Sequence, residues 1–168
     1  MEEKIPKPIT INSFAPVVDD STEILILGTM PGAMSLEKQE YYGYPRNQFW
    51  KIMYSLRASL PVPEKFTDKI DMLRRHNIGL WDVLEACERK GSLDVNIKNQ
   101  KENDIPGLLR THPKIQKILF NGKESHRYFV NKFGEPTDIE FHVMPSTSPA
   151  NTTSFDKKLA AWQEALDK

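Results

Sequence analysis

The residues in this chain that are best suited to chemistry form four short segments rich in glycine, proline, amides and hydroxyls. The segments are Gly28-Thr29-Met30-Pro31-Gly32, Gly79-Leu80-Trp81-Asp82-Val83-Leu84, Leu119-Phe120-Asn121-Gly122-Lys123 and Pro145-Ser146-Thr147-Ser148-Pro149-Ala150-Asn151. Methionine does no acid–base work, and an amide cannot act as a strong general base. The amides and hydroxyls of these segments instead offer hydrogen bonds, which stabilise charge that develops on a reacting ligand.

Residues that build metal or nucleophilic centres lack the spacing that such centres need. His76, His112, His126 and His142 show no metal-ligand spacing, and the single cysteine, Cys87, excludes an internal disulfide and a cysteine-rich zinc site. Cys87 is predicted to lie in an apolar helical context. No G-x-S-x-G elbow is present, which argues against an unrelated α/β-hydrolase-like enzyme. The sequence predicts no metal and no cofactor.

Size and charge set broad limits on the function. The 168 residues suit one domain, 1–168. Lys+Arg and Asp+Glu both total 23, which is a mild argument against a nucleic-acid binder, although a neutral protein can gather positive charge on one face. The opening residues lack the apolar core of a secretory signal, and no apolar run approaches the roughly 20 residues that cross a bilayer. We therefore expect a cytoplasmic protein with no membrane partner.

Predicted strands and helices alternate along the chain and must position the four segments. Short apolar runs predict strands at 23–28, 78–84, 115–120 and 141–144. Helices are predicted from Phe49 onward, at 65–76, from 103, at 123–132 and at 155–166, after a surface lead-in of about a dozen residues. This alternation predicts an α/β fold with a mainly parallel four-stranded sheet and helices on both faces. Because ligands bind at the carboxyl ends of such strands, the four segments should converge on one cleft.

The segments resemble the motifs of a known enzyme family. Gly28–Gly32 continues into Tyr41-Tyr42-Gly43-Tyr44-Pro45-Arg46-Asn47-Gln48-Phe49-Trp50, and together they are similar to the first active-site motif of the uracil-DNA glycosylase superfamily. Pro145–Asn151 resembles the second motif, and the other two segments stand between them in the expected order. The resemblance spans roughly Phe14 to the final helix and is closest to the hypoxanthine-DNA glycosylase branch, also called DNA-deoxyinosine glycosylase.

The resemblance implies base excision repair of DNA by a three-layer α/β/α enzyme. Such an enzyme flips a deaminated base, here preferably hypoxanthine, into a pocket and hydrolyses its N-glycosidic bond to leave an abasic site. No lysine within the first motif can form a Schiff base, which favours a monofunctional hydrolase. One alternative is a same-fold enzyme that acts mainly on uracil or mismatched uracil, and another is a non-catalytic DNA-binding module. The partner in each case is DNA, and a monomer is the default for the superfamily.

The resemblance assigns roles to residues of the first motif. Asn47 takes the catalytic position, where its amide would orient a water and accept a hydrogen bond from it; the structural alternative is a cap for the following helix. Tyr42 would stack under the flipped base, a role that Tyr41 or Tyr44 can fill instead. Met30 stands where several branches carry an aspartate or asparagine, which disfavours efficient uracil removal.

The middle segments offer polar groups for the edge of the base. Asp82 can accept a hydrogen bond from N1–H of hypoxanthine but cannot donate to O6, and Asn121 can supply that donor. A helix cap or ion-pair partner is the alternative for Asp82, and a turn residue is the alternative for Asn121. The other residues predicted to bind the base are Gly28, Thr29, Met30 and Pro31.

The second motif is expected to bind the DNA backbone. Its hydroxyls and N–H groups can donate to phosphates, and a plain turn is the alternative. The residues predicted for this role are Ser146, Thr147, Ser148, Pro149 and Ala150. Lys123 and Arg127 can add phosphate contacts or be solvated. The motif lacks the histidine with which classical uracil enzymes stabilise the leaving base. This absence and Met30 favour the non-catalytic alternative.

Overall fold

The computed structural model describes residues 9–168 and has a parallel sheet at its centre. The strands are β1 (Thr10–Asn12), β2 (Ile24–Gly28), β3 (Ile78–Asp82), β4 (Leu84–Glu88), β5 (Lys98–Glu102), β6 (Lys117–Asn121) and β7 (Glu140–Met144). The helices are α1 (Ala33–Lys38), α2 (Phe49–Arg57), α3 (Phe66–Arg75), α4 (Ile105–Thr111), α5 (Lys123–Phe133) and α6 (Phe155–Asp167). The central sheet has the order β3-β2-β6-β7, and every neighbouring pair is parallel. The predicted α/β class and four-stranded parallel sheet are confirmed.

The central sheet is covered on both faces because its inner strands, β2 and β6, are apolar on both sides. Along β2, Ile26 packs into a core with α2, α3 and α6 that contains the fully buried Trp162. Leu25 and Leu27 pack into the opposite core, which contains Phe129 of α5. The alternation of these neighbouring side chains between two cores gives the predicted arrangement of helices on both faces.

The structure also contains a second, antiparallel sheet with the order β1-β4-β5, which the sequence did not predict. The predicted strand 78–84 is in fact two strands, because the chain leaves the central sheet after Asp82 and Val83 N–H donates to the carbonyl of Gly28 at 2.8 Å. The predicted helical context of Cys87 is therefore wrong, since Cys87 is buried in strand β4. Residues 10–12 of the predicted lead-in form β1, and residues 1–8 lie outside the described residues.

The helices lie close to their predicted positions, apart from the unpredicted α1. The predicted start of α4 is confirmed, because the carboxylate of Asp104 caps this helix by accepting a hydrogen bond from Gly107 N–H at 3.0 Å. Nowhere in residues 9–168 does a helix have the length and apolar character needed to span a bilayer.

The parallel register places the carboxyl ends of the strands at one edge of the central sheet. Gly28 lies beside Asp82, and Asn121 lies beside Met144, which precedes the second-motif loop (Ser146–Asn151). Because all four strands run in the same direction, the segments that follow them meet at this edge.

Candidate active site

A cleft of about 670 Å³ opens at the carboxyl edge of the central sheet. Its walls include the residues of the four segments and of the tyrosine-rich stretch that were predicted for catalysis, base binding or backbone binding: Gly28, Thr29, Met30, Pro31, Tyr42, Asn47, Asp82, Asn121, Ser146, Thr147, Ser148, Pro149 and Ala150. The volume is within the range of pockets that enclose small organic ligands. The structure brings these residues together in one cleft. Their roles in catalysis and binding remain predictions.

A chain of hydrogen bonds joins Asn121, Thr147 and Asn47 across the cleft. The backbone N–H of Thr147 can only donate, and it donates to Oδ1 of Asn121 at 3.0 Å, which fixes the orientation of that amide. Nδ2 of Asn121 donates in turn to the Thr147 hydroxyl at 3.0 Å. The hydroxyl hydrogen of Thr147 is therefore free to donate to Oδ1 of Asn47, at 2.8 Å.

The amide of Asn47 is oriented with its donor side available to the cleft. Its Oδ1 accepts from the Thr147 hydroxyl and also from Phe49 N–H at 3.0 Å, so both lone pairs are in use. Within residues 9–168, Nδ2 of Asn47 has no acceptor. The cap alternative holds in part, since Phe49 begins α2. The occupied oxygen does not support the expectation that Asn47 accepts a hydrogen bond from a water.

The carboxyl group of Asp82 is buried at the floor of the cleft. Asp82 is 4% exposed, and its Oδ2 atom has no hydrogen-bond partner among the described residues. Burial raises the pKa of Asp82 to about 7, the negative charge of Asp94 adds to the rise, and the guanidinium of Arg89 opposes it. Asp82 ends a strand and so caps no helix, and no ion pair joins it to the described residues. An unpartnered acceptor at this position is available to a ligand.

Gly28 leaves the space that the Asp82 carboxyl occupies. A Cβ atom on Gly28 would lie 2.6 Å from Oδ1 of Asp82 and 3.2 Å from the hydroxyl of Tyr42. Any side chain at position 28 would therefore displace the carboxyl or the hydroxyl. The glycine of the first motif is needed for this close approach.

Among the three candidate tyrosines, the geometry favours Tyr42 for the stacking role. All three line the cleft, but the Tyr42 ring stacks on Phe49 with 3.9 Å between centroids, and its backbone has the unusual φ of 54°. Non-glycine residues in this region of φ are uncommon and are found at functional sites. The Tyr41 ring is buried and its hydroxyl donates to the carbonyl of Ala15 at 2.7 Å, so it is committed to the core. Tyr44 is 39% exposed.

The second-motif loop has two hydroxyl donors that face no internal acceptor. The hydroxyl of Ser146 accepts from Ser148 N–H, and the hydroxyl of Ser148 accepts from Ala150 N–H, both at 3.2 Å. Their hydrogens thus remain for a ligand. Thr147 is fully buried, and its N–H and hydroxyl are both in use. We therefore propose that Thr147 positions Asn47 and Asn121, in place of the backbone-binding role predicted from the sequence.

Residues 92–95 also line the cleft and were not predicted from the sequence. They belong to the connection between β4 and β5, and the Ser92 hydroxyl holds this connection to the start of α1 by accepting from Ala33 N–H at 2.9 Å. Leu93 is 55% exposed and Val95 is 84% exposed. A signal that could have found this segment is the pair of apolar residues, Leu93 and Val95, between turn-forming serine, aspartate and asparagine residues.

Two other sets of predicted residues are not brought into the site. Lys123 and Arg127 do not line the cleft, and the Arg127 guanidinium pairs with Glu124 on the same helix. Across residues 9–168, no group of three or more histidine, cysteine, aspartate or glutamate side chains is arranged to hold a metal ion. Independence from metal stays a prediction for experiment.

Comparisons with known proteins agree with the motifs. The family described as the Uracil DNA glycosylase superfamily matches residues 15–168. A Hypoxanthine DNA glycosylase of Methanosarcina barkeri is 37% identical over 155 residues, which cover 92% of this chain and 97% of that protein. A Hypoxanthine DNA glycosylase of Methanosarcina acetivorans is 36% identical over 154 residues, covering 89% and 94%.

A solved structure gives the same result for the fold. The solution NMR structure of a candidate uracil DNA glycosylase from Methanosarcina acetivorans has a TM-score of 0.80 and 34% identity, with 94% of this chain and 97% of that chain covered. The resemblance found in the sequence is thus confirmed by the family match, by the relatives and by the fold. The chain belongs to the uracil-DNA glycosylase superfamily.

Proposed function

We propose that this protein is a monofunctional DNA glycosylase that releases hypoxanthine from deoxyinosine in DNA and leaves an abasic site. The observation that carries the proposal is the pairing, in one cleft, of an oriented Asn47 donor with the unpartnered Asp82 acceptor. The two Methanosarcina relatives that carry the name Hypoxanthine DNA glycosylase support it. Cytoplasmic location, a monomeric state and a single domain over 1–168 remain predictions.

The polar groups of the cleft match the edge of a flipped hypoxanthine. Ionised Asp82 accepts from N1–H, whereas adenine has a lone pair at N1 that a carboxylate repels. Nδ2 of Asn121 has a second hydrogen beyond the one given to Thr147, and this hydrogen can be donated to O6 in place of the neighbouring Tyr42 hydroxyl. Acceptor and donor together would separate hypoxanthine from adenine, the base from which it forms by deamination.

Asn47 contributes to the bond-breaking step in this proposal. As the C1′–N9 bond breaks, the bonding electrons leave with the base, and Nδ2 of Asn47 donates a hydrogen bond to the developing negative charge. Such a donor is effective because the Thr147 and Phe49 contacts have already fixed its orientation. Water then forms the new C1′–O bond, and its proton neutralises the released base. No lysine lines the described cleft to form a Schiff base, which supports a monofunctional reaction.

The alternatives differ in what they require of the site. Action mainly on uracil is disfavoured by Met30, which is buried in the cleft wall where an amide or carboxylate would handle water. A non-catalytic DNA-binding module requires neither the oriented Asn47 amide nor the buried Asp82 carboxyl. Both alternatives can be distinguished by a panel of defined lesions.

We expect excision of hypoxanthine to proceed in excess chelator. Duplexes with one deoxyinosine, deoxyuridine or deoxyxanthosine would be incubated with the protein and then treated with alkali to cleave abasic sites. Strand cleavage should be fastest for deoxyinosine and unchanged by chelator, because the proposed steps use hydrogen bonds and no Lewis acid. Preference for deoxyuridine would establish the first alternative, and no cleavage of any duplex would establish the second. Activity that required an added divalent ion would contradict the proposed mechanism.

Tyr42→Ala should weaken binding mainly to DNA that contains the lesion. Stacking of a base on an aromatic ring contributes about 1–3 kcal/mol, and an unflipped base in normal DNA does not reach the ring. Tyr44→Ala is the matched control, because Tyr44 also lines the cleft but is exposed. Both variants would be titrated against normal and deoxyinosine duplexes. An equal loss on both duplexes for Tyr42→Ala would remove Tyr42 from the base pocket.

A further inference from the structure

We propose that Lys158 is a buried positive charge that attracts one DNA phosphate to the second-motif loop, an inference that rests on the proposed DNA substrate. Lys158 lies on α6, behind the loop, and is 1% exposed. Sequence gives no indication of this role, because the residue belongs to a charged Asp-Lys-Lys run at the start of an amphipathic helix.

The ammonium group of Lys158 is surrounded by neutral acceptors. Nζ donates to Oε1 of Gln48 at 3.0 Å and to the carbonyls of Asn151 at 2.9 Å and Ser148 at 3.4 Å. No carboxylate of residues 9–168 lies within 4.0 Å of it. Burial lowers the pKa of Lys158. A buried charge is costly without a counterion, so the surroundings favour the arrival of an anion.

A second buried lysine in the same chain shows the contrast. Lys117 is 5% exposed and donates to the carbonyls of Ala165 and Lys168, but its Nζ also lies 3.5 Å from a carboxylate oxygen of Glu140. Lys117 begins β6, at the edge of the sheet opposite to the cleft. The lysine that is remote from the cleft has a counterion, and the lysine behind the cleft wall has none among the described residues.

The second-motif loop has the polarity that an anion needs. Two of its carbonyls, on Ser148 and Asn151, accept hydrogen bonds from the buried ammonium. The hydroxyl hydrogens of Ser146 and Ser148 are not used inside the loop, where both oxygens act as acceptors. A phosphodiester over the loop would meet hydroxyl donors in front and a positive charge behind. Free phosphate has the same chemistry and must be separated from DNA by experiment.

The test compares the salt dependence of DNA binding for Lys158→Met and Lys117→Met. Each change removes one buried ammonium, and undamaged duplex DNA is the ligand. Binding strength falls with salt by a slope of about 0.9 per neutralised phosphate. We expect the slope for Lys158→Met to be smaller than that of the unmodified protein by about 0.9, and the slope for Lys117→Met to be unchanged. Equal slopes for all three proteins would overturn the proposal. A Lys158→Met protein with a lower thermal midpoint but an unchanged slope would overturn it as well.

A measurement on the unmodified protein covers the case in which Lys158→Met does not fold. The pKa of the Lys158 ammonium would be followed by NMR with and without duplex DNA, and it should rise when a phosphate lies nearby. A rise with inorganic phosphate but not with DNA would show a free-anion site and overturn the proposal.

These results are independent of base excision. A protein that excises no hypoxanthine but shows the Lys158-dependent slope would contradict the proposed function and support this inference. Hypoxanthine excision with equal slopes would support the function and contradict the inference.

Discussion

Asn47→Ala is expected to lower the single-turnover rate of hypoxanthine excision by a hundredfold or more, on the order of 3 kcal/mol of barrier. The change removes the oriented Nδ2 donor that the proposal directs at the departing base. It also removes the acceptor of two hydrogen bonds, from Thr147 and from Phe49 N–H. Loss of the cap contact alone should cost about 1 kcal/mol of stability. Rate and thermal midpoint would be measured on the same preparation, and near-normal turnover would exclude Asn47 from catalysis.

Asn47→Asp is the variant that separates a donor role from an acceptor role. A carboxylate at this position keeps an oxygen for Thr147 and for Phe49 N–H, so the thermal midpoint should stay close to that of the unmodified protein. The N–H donors are lost, and we expect a rate as low as that of Asn47→Ala. An aspartate variant as active as the unmodified protein would show that position 47 acts by accepting a proton or a hydrogen bond, contrary to the orientation described above.

Asp82→Ala should lower kcat/KM for deoxyinosine by about thirtyfold, roughly 2 kcal/mol, because a hydrogen bond from N1–H to an ionised carboxylate is lost. The same change should reduce discrimination against adenine, whose N1 lone pair would no longer face a negative charge. Competition between deoxyinosine and deoxyadenosine duplexes measures both effects. An unchanged preference between the two bases would show that Asp82 does not contact the base edge.

The pKa of Asp82, raised to about 7, predicts how activity depends on pH. Below this value the carboxyl is protonated and no longer accepts from N1–H as an anion, so excision should fall as the pH is lowered through about 7. Asp82→Asn cannot titrate, and its rate should be flat over the same range. A rate that rises as the pH falls would indicate that protonated Asp82 donates to the base instead.

The same raised pKa predicts the pH dependence of stability. Between pH 4 and pH 7 the folded state holds a proton on Asp82 that the unfolded chain has released, so the free energy of unfolding should decrease as pH rises through this window and level off above it. Asp82→Asn should therefore be the more stable protein at pH 8, by at most about 4 kcal/mol, and its stability should lack this decline. Denaturant titrations at several pH values measure the difference.

The central sheet was predictable because its inner strands, β2 and β6, are buried on both faces. Ile24–Gly28 and Lys117–Asn121 are nearly continuous apolar runs that end at glycine or asparagine, and the rule for parallel sheets then placed the cleft. The small sheet was not predictable in this way. Lys98–Glu102 has no apolar residue and forms a strand through backbone pairing with β4, so its sequence carries no periodicity.

The orientation of the side chains in the site could not be predicted from the sequence, for a different reason. Asn47 and Thr147 are 100 residues apart, and their contact fixes which side of the amide is free. A motif indicates that an asparagine is present, whereas the direction of its donor depends on partners that folding brings near. The burial of Thr147 was likewise not predictable from the sequence. A threonine hydroxyl in a serine-rich loop suggests phosphate binding, but in the structure Thr147 is buried.

The most direct test of the central claim is the identity of the small product released from a deoxyinosine duplex. The protein would be incubated with DNA that carries one labelled hypoxanthine, and the released material would be separated by chromatography and identified by mass. We expect free hypoxanthine and an intact strand with an abasic site, in equal amounts, and loss of both products with Asn47→Ala. Strand breakage with hypoxanthine still attached to its sugar, or the absence of any released base, would contradict the central claim.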